Sequence, residues 1–236
     1  TPAPLRDAAI KSITQGKTHY TSNYGMFELR EQLSEHLKRL YDVTYDPETD
    51  LMITAGSSEA FDLALRAIID HGDEVICPDP YYVAYPPAVT LAGGNFVPVR
   101  TTAQSNFQLL AEEVIPKITT RTKALLFGYP ANPTGATMDK EGLSKLAQLA
   151  TEHDLAVISD ELYDRLTYEE PHTCFASLPG MRNRTILIGG FSKAYAMTGW
   201  RIGWVAAPAN LIEAVMKIHQ YVMLSAPTVA QYAGIA

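Results

Sequence analysis

The sequence predicts an α/β fold: a mostly parallel seven-stranded sheet sandwiched by helices. Three observations predict it. Apolar runs of strand length alternate with helical stretches. The runs are apolar throughout rather than at every second residue, so they belong to a sheet buried on both faces. Short polar, glycine-bearing or proline-bearing segments follow them. The 236 residues suit one large α/β domain or two small ones, and 47% hydrophobic residues can fill a substantial core.

In chain order, residues 25–42 place Phe27, Leu29, Leu33, Leu37 and Leu40 on one helical face. LMITAG then reads as a strand, and SSEAFDLALRAIID as a helix with Ser57 or Ser58 near its N-cap. EVICPDP, NFVPVR, KALLFGYP, LAVISDE, TILIGG and IGWVAAP supply six further strands. MDKEGLSKLAQLATEHD and ANLIEAVMKIHQYVML are helices among them, and SAPTVAQYAGIA also looks helical. The first residues show no clear structural opening.

Composition excludes several classes of function. A net charge of -7 argues against a surface for nucleic acid or an anionic membrane. No apolar run approaches the roughly 20 residues of a membrane span, and TPAPLRDAAIKS lacks the apolar core of a secretory signal. Cys77 and Cys174 read as buried thiols, which fits a cytoplasmic setting. The six histidines show no metal-ligand spacing.

In such sheets ligands bind beyond the carboxyl ends of the strands, which directs attention to the residues after each run. Asp160 follows LAVIS; a carboxylate there needs a cationic or hydrogen-bonding partner, and an N-cap or structural ion pair serves as well as a ligand. Tyr163 lies one helical turn further on. Lys193 follows TILIGGFS, and Arg201, eight residues later, adjoins an otherwise apolar strand, where a guanidinium suits phosphate oxygens. ITAGSSEA combines a turn, two hydroxyls and a helix start, which makes either an ordinary cap or an anion site. Asn132 in YPANPTG is a turn residue or a ligand contact, and Tyr81, Tyr82 and Tyr85 are loop packing or a stacking platform.

In order and spacing, SKAYAMTGWRIGW, ANPTG and SDELY resemble the aspartate aminotransferase family of fold-type I enzymes dependent on pyridoxal 5'-phosphate (PLP), from about Tyr20 to the end of the chain. The resemblance implies that Lys193 forms the Schiff base and moves the proton. It implies that Asp160 pairs with the pyridine nitrogen, the partner that an electron sink requires. Asn132 and Tyr163 would bond the ring's phenolic oxygen, and Tyr82 would stack on the ring. Gly56, Ser57, Ser58 and Arg201 would hold the phosphate. Tyr20 would reach the cofactor of a neighbouring subunit, which implies a homodimer with residues 1–24 as a contacting segment. Asn132–Pro133 matches a position that is often cis in the family.

Two departures accompany the resemblance. Gly190 stands where many relatives carry a phosphate-binding serine, and the adjacent Ser192 is expected to point elsewhere. Family members are also longer. Residues 25–236 are expected to be the cofactor-binding large domain, with no counterpart here to the arginine that binds the substrate carboxylate or to the N-terminal covering segment. The expected reaction moves an amino group between an amino acid and a 2-oxo acid. A C–S β-lyase and the aminotransferase-like sensor domain of a transcription regulator are the alternatives, and the chain by itself could bind PLP without turning over.

Overall fold

A computed structural model describes residues 1–236. The helices are α1 (Ala3–Thr14), α2 (Phe27–Tyr41), α3 (Ser57–Ile68), α4 (Tyr85–Leu91), α5 (Ala111–Val114), α6 (Lys140–Glu152), α7 (Ala209–Val222) and α8 (Thr228–Ile235). The strands are β1 (Leu51–Thr54), β2 (Glu74–Asp79), β3 (Asn95–Arg100), β4 (Thr122–Gly128), β5 (Ala156–Asp160), β6 (Thr185–Gly190) and β7 (Gly203–Ala206). They form one sheet in the order β1-β7-β6-β5-β4-β2-β3.

The seven apolar runs are the seven strands, and successive residues in them serve opposite faces. Met52, Leu126, Ile158, Ile186, Ile188 and Val205 point to the side covered by α3, α4 and α7. On the other side, Leu125, Phe127 and Val157 meet α6. Leu51, Ile53, Leu187 and Trp204 meet α2 and α8 there. This double cover is why the runs carry no polar alternation. The exception is β3, which pairs only with β2, is partly exposed and carries Pro98, a residue that an edge strand tolerates.

Every neighbouring pair is parallel except those made by β7, which runs antiparallel to both β1 and β6. A parallel neighbour needs a crossover, usually a helix on the sheet face. Residues 191–202, between β6 and β7, hold only a single turn at Thr198–Trp200. The chain therefore turns back at the same sheet edge. Phe191, Met197 and Ile202 are buried and anchor that connection to the core.

Three helices lie outside the expected set. In α1 the packing is through Ala9 and Leu5 against α8, too narrow an apolar stripe to stand out in sequence. The short α4 and α5 begin within segments whose prolines and tyrosines read as loop. Helix α2 starts two residues later than the apolar pattern, because Gly25 has φ 92° and sits against the Ile53 side chain, where a Cβ has no room. The segment before it is tied to α8: buried Gln231 accepts the Met26 N–H at 2.7 Å and donates to Thr21 Oγ1 at 3.0 Å.

A close approach of backbone to backbone joins β7 to the turn after β1. A Cβ on Gly203 would stand 2.6 Å from both the Gly56 carbonyl carbon and the Ser57 nitrogen. Gly203→Ala is expected to cost about 1–3 kcal/mol through overpacking, read as a lower midpoint in denaturant unfolding.

Candidate active site

The carboxyl ends of β1, β2, β4, β5 and β6 and the start of β7 converge on one sheet edge, and a cavity of about 230 Å³ opens there. Eight of the residues to which the resemblance gives a role at the site line it: Ser57, Ser58, Tyr82, Asn132, Asp160, Tyr163, Lys193 and Arg201. Gly56 lies just behind. It occupies the N-cap of α3 at φ 87°, and a Cβ there would collide with the Arg201 guanidinium. Tyr20 is not among the lining residues; its side chain is 82% exposed, on a segment fastened where Thr228 Oγ1 donates to the His19 carbonyl at 2.7 Å.

One side of the cavity is cationic. The first N–H groups of α3 have no partners within the helix, and the helix dipole makes that end positive. Ser57 and Ser58 stand next to the N-cap, as the sequence suggests, and the cap itself is Gly56. Gly56 takes the cap because the turn needs a positive φ, and the two serines, one step inside the helix, face the cavity instead. Arg201 Nη1 donates to the Thr198 carbonyl at 2.9 Å, and Arg201 makes no ion pair with any side chain. Helix end, hydroxyls and an unpaired guanidinium together suit a phosphate. Lys193 is the second unpaired cation of the cavity, with Nζ 5.7 Å from the centre of the Tyr163 ring.

The opposite charge stands at the end of β5. Asp160 is 9% exposed, and burial raises its carboxyl from the ordinary 3.8 to about 6, against the pull of hydrogen bonds from Tyr85 and the Leu162 N–H. Across the floor, the Tyr82 ring is wedged edge-on by Phe61 at 6.2 Å and Tyr85 at 5.6 Å. Asn132 precedes a cis peptide to Pro133 and lines both this cavity and a wider cleft of about 580 Å³ beside it.

The turn that carries Asp160 and Tyr163 toward the cavity is fixed from behind by the intervening residues. Glu161 is 5% exposed; it accepts from Ser159 Oγ at 2.9 Å and the Phe175 N–H at 2.8 Å, and pairs with His172 at 2.6 Å. Burial alone would lower the His172 imidazole, but the Glu161 carboxylate outweighs it and holds the pKa above its ordinary value. Asp164 accepts from Tyr41 Oη of α2 at 2.6 Å.

Three further polar residues line the cavity. Tyr85, read in sequence as loop packing or a stacking platform, instead reaches Asp160. Ser192, expected to point elsewhere, is 7% exposed and lines the cavity, as does Thr198. Gly190 is a matter of space: a Cβ there would lie 3.1 Å from Leu162 Cδ1 and 3.3 Å from the Gly203 Cα.

Because the native state binds the Asp160 proton more tightly than the unfolded chain, stability falls as pH rises from about 4 to about 6. In the cofactor-free protein, Asp160→Asn is therefore expected to stabilise by about 2–3 kcal/mol near neutral pH and to lose that gain near pH 4. Thermal unfolding at the two pH values measures it.

Comparison with known proteins agrees with this geometry. The sequence pattern of the family described as aminotransferase class I and II matches residues 1–236. An aspartate aminotransferase from Pyrococcus abyssi is 43% identical over 99% of this chain and 60% of its own length. An aromatic-amino-acid aminotransferase from Thermococcus litoralis is 40% identical, again over 99% of this chain and 60% of its own. The crystal structure of an aromatic aminotransferase from Pyrococcus horikoshii superposes with a TM-score of 0.98 at 43% identity, covering 100% of this chain and 63% of that one. The chain thus spans about three fifths of the length of these relatives, and it belongs to the aminotransferase class I and II family.

Proposed function

We propose that this chain is the cofactor-binding part of a PLP-dependent aminotransferase that moves amino groups between amino acids and 2-oxo acids. The observation that carries the reading is that a lysine without an ion-pair partner and a buried carboxylate line one cavity, beside a phosphate-type cradle. The names of the relatives favour transfer over elimination.

The donor set fits PLP group by group. Gly56, Ser57, Ser58 and Arg201 hold the phosphate dianion at the positive end of α3. Asp160 would keep a proton on the ring nitrogen, and its desolvation would make a cationic partner more welcome there than a water-exposed placement would. Tyr82 covers a ring face, while Asn132 and Tyr163 supply donors for the phenolic oxygen. Lys193 would hold the cofactor covalently, and its Nζ would be the amine placed to take and return the Cα proton. When bound, PLP supplies an aldehyde that condenses with amines and a ring that accepts the electron pair left at Cα.

Residues 25–236 form the cofactor-binding large domain in this reading, and residues 1–24 contact a second copy. The exposure of Tyr20 supports it: the backbone beside it is fastened while its phenol is left free to meet a neighbour. Closed two-fold dimers are the commonest assembly for such a contact. No helix is long and apolar enough to cross a membrane.

The test is chemical. The full protein with PLP should show visible absorption, and borohydride should fix the cofactor to the peptide containing Lys193. Lys193→Ala should lose both and slow amino transfer by more than about a hundredfold. Unchanged borohydride labelling in that variant would contradict the assignment.

A further inference from the structure

The tyrosine at the start of α4 does more than pack. Tyr85 is 4% exposed, and its Oη donates to Asp160 Oδ2 at 2.9 Å. The other oxygen, Oδ1, accepts the Leu162 N–H at 3.2 Å. One donor on each oxygen fixes the plane of the carboxylate and leaves lone pairs on both for a third donor.

The phenol reaches this position through a gap kept open on β4. Gly128 pairs in register with Asp160, and a Cβ on it would lie 2.8 Å from Tyr85 Oη and 3.2 Å from the Asp160 carbonyl oxygen. Any larger residue at that point would push the phenol off the carboxylate. The ring is held in turn, edge-on to Phe61 at 5.5 Å and to Tyr82 at 5.6 Å. Tyr85 thereby touches both the aromatic floor and the acid.

We propose that Tyr85 is a positioning residue, whose phenol orients the Asp160 carboxylate and favours its ionised form. The inference rests on the proposed PLP reading for its role in catalysis, although the contact itself belongs to this chain. The groups that share the surroundings of Asp160 are Glu161 beside it, Cys77 on β2, Tyr82 on the floor, and Tyr163 and Lys193 across the cavity. None of these gives a side-chain hydrogen bond to the carboxylate; Tyr85 does. Burial opposes ionisation of Asp160, and the phenol opposes burial.

The test uses the full protein freed of cofactor and labelled with ¹³C at aspartate carboxyls, the Asp160 signal being assigned with Asp160→Asn. Tyr85→Phe keeps the ring and deletes the donor. It is expected to raise the Asp160 titration midpoint by roughly one pH unit. Replacing Tyr85 with difluorotyrosine, a stronger donor of nearly the same shape, should lower the midpoint, and it serves also if the phenylalanine variant folds poorly. With PLP loaded, Tyr85→Phe should lower kcat by about tenfold with KM for the amino donor little changed, as expected when ionisation of a catalytic group is disturbed. A midpoint that moves with neither replacement would overturn the inference. A midpoint that moves in a protein whose Lys193 captures no cofactor would sink the PLP reading while leaving the Tyr85–Asp160 coupling intact.

Discussion

The reversal of β7 brings the two cations of the cavity together. Lys193 leaves β6 at its carboxyl end, and Arg201 enters β7 at its amino end. Only because the strands are antiparallel do these ends share a sheet edge. That edge is also where parallel β1, β2, β4 and β5 deliver the α3 cap, the tyrosines, Asn132 and Asp160. A helical crossover in place of residues 191–202 would have carried Arg201 to the opposite edge. The glycine contact between Gly203 and the 56–57 turn follows from the same arrangement, since β7 must press close to β1 for the guanidinium to pass beneath the cap.

Around that edge the protein arranges its buried acids in two directions. Asp160 faces the cavity with few partners, and Glu161 faces away with three. The second group is well satisfied and secures the turn; the first is left in a state that water would relieve. Local discomfort at one residue, held in place by comfort at its neighbour, is how a rigid scaffold keeps a reactive group ready for a ligand.

The strands were legible because burial on both faces leaves an uninterrupted apolar run, and the motif residues were legible because each follows such a run. What escaped was set by contacts remote in sequence. The buried stripe of α1 makes sense only against α8. Tyr85 reads as loop packing or a stacking ring, and its bond to the acid shows only when Gly128 and Asp160 come beside it; the serines read as cap or anion site until the backbone at Gly56 takes the cap. The direction of β7 also escaped, since it depends on which strand comes next to which.

The pairing of the sheet edge also sets an order on synthesis. β1 is hydrogen-bonded to no strand but β7, so while the chain emerges from the ribosome its edge waits for a partner that begins only at Gly203. Contacts so distant along the chain are slow to form. The early strand and the α3 cap therefore spend translation without their final neighbour, and the phosphate cradle cannot be assembled until Arg201 and Gly203 have been added. For this fold, closure of the cavity's cationic side is a checkpoint that reports the arrival of β7.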